Sequence, residues 1–228
     1  MIYVFKMRQI FSQWAIIISA IALLYACHQP SEKNKKKIFR YNEYAGIASL
    51  DPAFAKNQST MWPAHQLFNT LVEIDDSLNI KPSLAKYWDI SPDKTTYTFY
   101  LRDDVWFHDD ACFPDGKGRK MVASDVVFSF QRILDPKTAS PGAWIFNGKV
   151  DSIQPFTAIN DTIFQLKLLR PYQPILGILS MQYCSVVAPE AVQQYGVDFR
   201  QHPVGTGPFK FVVWEEGQAL IFAKNEKY

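Results

Sequence analysis

The strongest constraint on the fold is a change of hydrophobic period between two nearby segments. In YTFYLR, the side chains of Tyr97, Phe99 and Leu101 share one face, which predicts a half-buried β-strand. In VASDVVFSFQRILDP, apolar residues recur at three- and four-residue intervals instead, which predicts a helix that ends at Asp135-Pro136. A chain that combines both periods in this way is predicted to be a mixed α/β protein.

Further elements follow the same mixed pattern. An apolar stripe over residues 61–71 predicts a helix, and LVEIDDSLNI predicts a strand and a turn. The segment PSLAKYWDI predicts a short helical turn followed by another strand, and a second hairpin is expected around Asn160-Asp161. Strands and helices do not alternate regularly and no repeat is visible, so the fold class is α/β of the α+β kind.

The amino terminus predicts export. Lys6 and Arg8 precede an apolar stretch that is short for a membrane span, so residues 1–26 are interpreted as a secretory signal peptide. The stretch ends in LYAC, which resembles a bacterial lipobox, and we expect Cys27 to carry a lipid. Residues 27–37 then form a basic tether to the membrane. An uncleaved membrane anchor is the second interpretation, and both place the rest of the chain outside the cytoplasm.

Charge argues against nucleic acid as a partner. The chain has 24 Lys and Arg and 22 Asp and Glu, and removal of residues 1–26 takes away two bases and no acid. The exported part therefore has no net charge, whereas proteins that bind nucleic acid need a basic surface. Export also permits a disulfide, but the sequence leaves open whether Cys112 and Cys184 come within bridging distance.

Signatures of catalysis are missing from the sequence. No nucleophile elbow, phosphate loop or H-E-x-x-H pair is present, and Gly205-Thr206-Gly207 lacks the third glycine of a dinucleotide fingerprint. The cluster of His108, Asp109, Asp110 and Cys112 matches no familiar metal spacing, because neighbouring residues of an extended chain point to opposite faces. We therefore interpret it as a hairpin turn, and expect neither catalytic residues, a metal site nor a cofactor.

Several segments in a fixed order carry a family resemblance. PSLAKYWDISPDKTTYTFYLRDDVWFHDD contains counterparts of P-x-L-A-x-x-W, Y-T-F-x-L-R and F-H-D-G, and ASDVVFSFQRILDP contains A-x-D-V-x-F-S. With SLDP at residues 49–52, VGTGPF at 204–209 and the final NEKY, this succession resembles the family 5 extracellular solute-binding proteins, which include oligopeptide and dipeptide receptors of bacterial ABC importers. The sequence departs from the pattern at Asp110, where the family has glycine, and in a longer loop after it.

The resemblance implies a periplasmic binding protein type II-like fold, in which two lobes close around a ligand. Because family members are about twice this long, we expect the printed residues to form the first lobe, with the second lobe missing. Residues 38–61 and 185–228 would form its larger subdomain, and residues 62–184 a smaller inserted one.

The resemblance also implies a function and a set of candidate residues. The expected function is capture of oligopeptides or dipeptides for an ABC permease, by a lipid-anchored receptor that faces the periplasm or cell exterior. Backbone contacts with the ligand are expected from Ala45, Gly46, Ile47 and Ala48. A pocket wall is expected from Trp144, and a contribution to the region between the lobes from Gly205, Thr206 and Gly207.

Other interpretations remain open at this point. Within the same fold, the ligand could be a nickel complex, an oligosaccharide or haem. From a different class, the cluster of His108, Asp109 and Asp110 would suit an exported metal-dependent hydrolase, and a third alternative is a surface adhesion module that transports nothing.

Overall fold

Eight short strands form the β-structure of the computed structural model, which describes residues 37–228. Four of these strands make one antiparallel sheet in the order β3-β4-β6-β5, while β1 with β2 and β7 with β8 make separate two-stranded ribbons. The strands are β1 (Val72–Ile74), β2 (Ile80–Pro82), β3 (Ala85–Ile90), β4 (Thr96–Leu101), β5 (Phe156–Asn160), β6 (Ile163–Lys167), β7 (Phe209–Glu215) and β8 (Ala219–Lys224).

The period of two in β4 determines which face of the sheet is buried. Tyr97, Phe99 and Leu101 are all buried, as the sequence predicts. In the register with β6, Phe99 lies opposite Phe164 and Tyr97 lies opposite Leu166, so apolar side chains of neighbouring strands meet on one face. The predicted hairpin around Asn160-Asp161 is confirmed as the antiparallel pair of β5 and β6.

Four α-helices and five 3₁₀ turns complete the elements of residues 37–228. The helices are α1 (Gln58–Leu67), α2 (Ala123–Leu134), α3 (Ile175–Leu179) and α4 (Pro189–Tyr195). The 3₁₀ turns are Pro52–Phe54, Pro114–Gly116, Pro141–Ile145, Gln182–Cys184 and Gly196–Gln201. Among the described residues, none of the helices has the length and apolar character needed to cross a membrane.

Helix α2 covers the buried face of the sheet with an aromatic side chain. The ring of Phe130 meets Phe156 and Phe164 edge-on, with both centroid distances at 5.5 Å, and lies 5.1 Å from the ring of Phe146. Aromatic rings prefer such tilted contacts, which add to the free energy gained from burial. The amphipathic pattern of residues 123–134 therefore both forms the helix and closes the core.

Two local predictions need correction. The helical turn predicted within PSLAKYWDI is wrong, because the amides of Leu84 and Ala85 donate to the carbonyls of Thr70 and Leu71 instead of forming a helical turn, and β3 begins at once. Helix α1 ends at Leu67, so the last part of the predicted stripe lies beyond the helix. The expected division of residues 38–228 into two subdomains stays a prediction, and residues 43–228 form one compact unit.

Two glycines allow the chain before β7 to approach the end of α1 closely. A Cβ atom on Gly205 would lie 2.1 Å from the Leu67 carbonyl oxygen, and one on Gly207 would lie 2.5 Å from the Leu67 carbonyl carbon. The Gly207 amide donates to the same Leu67 oxygen at 2.9 Å. Glycine is required at both positions because the atoms that a side chain would meet belong to the backbone and cannot rotate away.

We expect Gly205→Ala to destabilise the fold by about 2 kcal/mol, the range typical of overpacking. Gly177→Ala is the matched control, because nothing lies within 4 Å of a Cβ there and alanine is the better helix former in α3. Urea unfolding followed by far-UV circular dichroism measures both. A Gly205→Ala variant as stable as the Gly177→Ala variant would show that α1 and the chain before β7 are not packed as described.

Candidate ligand-binding face

The 3₁₀ turn Pro52–Phe54 is anchored by a buried carboxylate that precedes it. Asp51 accepts a hydrogen bond from the Ala53 amide at 3.0 Å, which caps the turn. Both of its oxygens also accept from the guanidinium of Arg132 in α2, at 2.8 and 2.5 Å. The side chains of Asp51 and Arg132 are 4% and 13% exposed, so the pair is shielded from water. The turn is therefore fixed to the helix that covers the sheet.

Two further 3₁₀ turns meet the first one. The Ser140 hydroxyl donates to the Ala53 carbonyl at 2.6 Å and accepts from the Gly142 amide at 3.0 Å, which joins the turn Pro141–Ile145 to Pro52–Phe54. A Cβ on Gly142 would lie 2.6 Å from the Tyr183 ring, so glycine lets the turn Gln182–Cys184 pack against the second turn. We call residues 51–54, 140–145 and 182–184 the turn junction.

Trp144 is the large side chain of the turn junction that is exposed to solvent. It is 46% exposed, and the Lys149 ammonium lies 5.7 Å from its ring centroid and donates to its carbonyl at 2.5 Å. The same ammonium lies 5.7 Å from the ring of Tyr172. A half-exposed aromatic ring beside a cation suits contact with a ligand that has both apolar and polar groups.

Residues 45–48 lie just before the turn junction, and most of their backbone groups have no hydrogen bond to another described residue. The segment has no regular secondary structure, Ala45, Gly46 and Ala48 are exposed, and Gly46 adopts a φ of +70°. Within the part of the chain that the structure describes, the amides of Gly46, Ile47 and Ala48 donate no hydrogen bond, and none of the four carbonyls accepts one. The structure therefore leaves these backbone groups available for hydrogen bonds with a partner outside the described residues.

Gly205, Thr206 and Gly207 are placed differently from the other candidates. All three are buried, and Thr206 is 2% exposed, with its hydroxyl donating to the Asn69 side chain at 3.0 Å. The Gly207 carbonyl accepts from the side chain of Asn225 at 3.0 Å. These contacts fix the segment beneath α1, and a role for it between two lobes stays a prediction.

The cluster that begins at His108 is part of a closed hairpin. Residues Trp106 and Lys120 pair as an antiparallel bridge, which confirms the hairpin interpretation. His108 is 5% exposed, and its Nε2 donates to the Gly207 carbonyl at 2.9 Å. Asp110 accepts from the Tyr195 hydroxyl at 2.7 Å. These side chains point to different parts of the fold, so they do not form one site.

Asp109 and Cys112, the other two members of the cluster, do not complete a site either. Asp109 accepts from the ammonium groups of Lys117 and Lys227 at 3.2 and 2.9 Å. Burial raises the pKa of the Cys112 thiol to about 12 and raises the pKa of Cys184 even further, and both thiols are free. The described residues contain no group of three His, Cys, Asp or Glu side chains that could hold a metal.

His108 should make stability depend on pH. Burial lowers its pKa to about 4, against an ordinary value of 6.5, and its Nδ1 has no hydrogen-bond partner among the described residues. The unfolded chain therefore binds a proton on this residue at a higher pH than the folded chain does. Stability from neutral His108 is present above pH 6.5 and is lost as the pH falls towards 4.

We expect the free energy of unfolding to fall by about 2 kcal/mol between pH 7 and pH 5 on account of His108. Asp109 does not contribute to this interval, because its paired lysines lower its pKa and its effect lies at more acidic pH. Urea unfolding at the two pH values, repeated for His108→Gln, measures the difference. An equal fall with pH in the variant would show that the histidine is not buried in neutral form.

Comparison with known proteins identifies relatives along most of the chain. The model of the bacterial extracellular solute-binding proteins, family 5 Middle, matches residues 79–228. Di/tripeptide-binding protein 2 of Pseudomonas aeruginosa is 30% identical over 94% of this chain, and Heme-binding protein A of Haemophilus influenzae is 31% identical over 93%. The chain spans 42% and 43% of the length of these two relatives.

Solved structures show the same similarity. DppA from Helicobacter pylori, in complex with the peptide STSA, superposes with a TM-score of 0.70 and 32% identity over 80% of this chain and 38% of that one. NikZ from Campylobacter jejuni, in complex with Ni(L-His), superposes with a TM-score of 0.67 and 31% identity over 82% of this chain and 34% of that one. The predicted mixed α/β fold of a periplasmic binding protein is thereby confirmed. Because the family model matches more than half of the residues of this chain, the chain belongs to the family 5 bacterial extracellular solute-binding proteins.

Proposed function

We propose that this chain captures peptides outside the cytoplasm and delivers them to an ABC permease. The observation that carries the proposal is the similarity to DppA in complex with a peptide, at 32% identity over 80% of this chain. The turn junction supports it, since Trp144 is open beside Lys149. Free backbone groups at residues 45–48 support it too, because an extended peptide can be held by main-chain hydrogen bonds whatever its side chains are.

We propose no catalytic role for the chain. A hydrolase centred on His108, Asp109 and Asp110 would need these groups to converge on one substrate. His108 is buried against Gly207, Asp109 is engaged by two lysines, and Asp110 is engaged by Tyr195. The arrangement supports a structural role for each group, and binding without catalysis agrees with a solute-binding family.

A second candidate is capture of a different solute. Relatives of comparable identity include Heme-binding protein A and NikZ in complex with Ni(L-His), so the family's fold accommodates more than peptides. Native mass spectrometry of the chain with equimolar Ser-Thr-Ser-Ala, haem and Ni(L-His) separates these candidates, because each complex has its own mass.

For the peptide proposal, we expect Ser-Thr-Ser-Ala to quench tryptophan fluorescence and Trp144→Ala to weaken its binding about fivefold, since an aromatic contact contributes roughly 1 kcal/mol. Trp106→Ala is the matched control, because Trp106 is 40% exposed and lies on the His108 hairpin instead of the turn junction. Equal affinities of the two variants for Ser-Thr-Ser-Ala would show that Trp144 does not contact the peptide. Haem or Ni(L-His) retained in place of the peptide would favour the second candidate.

We also propose that Cys27 carries a lipid that holds the chain at the membrane, with residues 27–37 as a basic tether. The support is the LYAC sequence after an apolar stretch, and Cys27 lies outside the described residues. We expect Cys27→Ser to move the protein from the membrane fraction to the soluble fraction of a bacterial lysate, whereas Cys112→Ser should leave it with the membrane. Membrane association that survives Cys27→Ser would favour an uncleaved anchor.

A further inference from the structure

A polar pocket lies beside the turn junction, between α1, β1 and the turn Gln182–Cys184. Its volume is about 350 Å³, and seven of its nine lining residues are polar. Among these, His65 comes from α1, Glu73 from β1 and Gln182 from the turn. A pocket with this lining favours a charged or strongly polar ligand group over an apolar one.

Most polar groups of the pocket are already held in place. The Asn69 side chain accepts from the Thr206 hydroxyl at 3.0 Å and donates to the Tyr228 hydroxyl at 3.3 Å. Gln182 donates from Nε2 to Nδ1 of His65 at 2.9 Å and accepts from the Ser185 hydroxyl at 3.1 Å. These contacts fix the walls, so the groups do not have to be ordered when a ligand enters.

Glu73 is the carboxylate of the pocket lining, and it has no hydrogen bond and no ion pair within the described residues. Lys81 lies directly opposite on β2, but its ammonium pairs with Asp75 at 3.0 Å. Asp75 also accepts from the amides of Ser77 and Asn79 at 2.9 and 2.8 Å, and the bond from the Asn79 amide together with Lys81 lowers its pKa to about 2. The lysine opposite Glu73 is therefore already engaged, and the exposed carboxylate of Glu73 has no cationic partner among the described residues.

We propose that this pocket is a subsite for an organic cation, with Glu73 as the group that recognises the charge. Since the described residues provide no set of three metal-ligating side chains, a cation with hydrogen-bond donors fits the lining better than a metal ion does. This step rests on the proposed function: in a peptide ligand, the cation is the ammonium group of a lysine side chain.

The pocket can be tested without any peptide. We expect n-butylammonium to produce saturable changes in the ¹H–¹⁵N spectrum of the full chain, at the Glu73 amide and the side-chain amides of Asn69 and Gln182. Glu73→Gln keeps the shape of the side chain and removes its charge, so the affinity should fall about three- to fivefold, which corresponds to one partly exposed ion pair. Sodium chloride should weaken binding to the native chain because it screens this attraction.

Two controls separate recognition at Glu73 from a general effect of charge. Asp76→Asn makes the same change of net charge on an exposed residue of the same ribbon, outside the pocket, and should leave n-butylammonium binding unchanged. n-Butanol has a similar alkyl chain without charge and should not bind measurably. Equal binding of n-butylammonium to the native chain and to Glu73→Gln, or no saturable change in either, would overturn the proposal.

Peptides then separate the subsite from the proposed function. We expect the native chain to prefer Ala-Lys-Ala to Ala-norleucine-Ala about three- to fivefold, and Glu73→Gln to lose the preference. Binding of n-butylammonium at Glu73 without binding of either peptide would keep the subsite and contradict peptide capture. Equal binding of both peptides to the native chain would support peptide capture and contradict lysine as the ligand of this subsite.

Discussion

The ion pair between Asp51 and Arg132 connects helix α2, which covers the sheet, to the turn junction, which carries the exposed Trp144. Arg132 belongs to α2, which packs on the sheet through Phe130. The guanidinium of Arg132 also lies 5.5 Å from the centroid of the Phe199 ring. Asp51 begins the first 3₁₀ turn of the turn junction. Breaking such a shielded pair leaves one buried charge uncompensated, which costs more than the pair itself contributes. The position of the turn junction therefore depends on the packing of α2, although the two are 81 residues apart in sequence.

The sequence predicts those elements in which side-chain period and local turn chemistry agree. Strand β4 and helix α2 belong to this group, because burial of one face determines their structure. Residues 83–84 show the limit of such reasoning: their short pattern allows a helical turn, but hydrogen bonds to Thr70 and Leu71 decide the outcome. Those bonds form between different segments of the folded chain, so the local pattern does not predict them.

The same limit applies to the candidate site. Trp144 is selected through the resemblance to the family, and its exposure becomes visible in the structure, whereas Arg132 and Glu73 have no local signal in the sequence. Arg132 is one of many basic residues on a helix, and its role becomes visible when Asp51 is beside it. Glu73 is distinguished by having no ion pair within residues 37–228, since Asp75 binds the lysine opposite it. A missing contact can be recognised in a structure and leaves no pattern in a sequence.

The turn Gln182–Cys184 links the two surfaces to which we assign ligand contacts. Tyr183 packs against Gly142 in the turn that carries Trp144, while the preceding residue, Gln182, fixes His65 in the wall of the Glu73 pocket. Two backbone hydrogen bonds hold this turn: the Cys184 amide donates to the Met181 carbonyl, and the Ser185 amide donates to the Gln182 carbonyl. The turn junction and the Glu73 pocket therefore share one hydrogen-bonded turn, so a ligand that reaches both contacts side chains that the same turn holds in place.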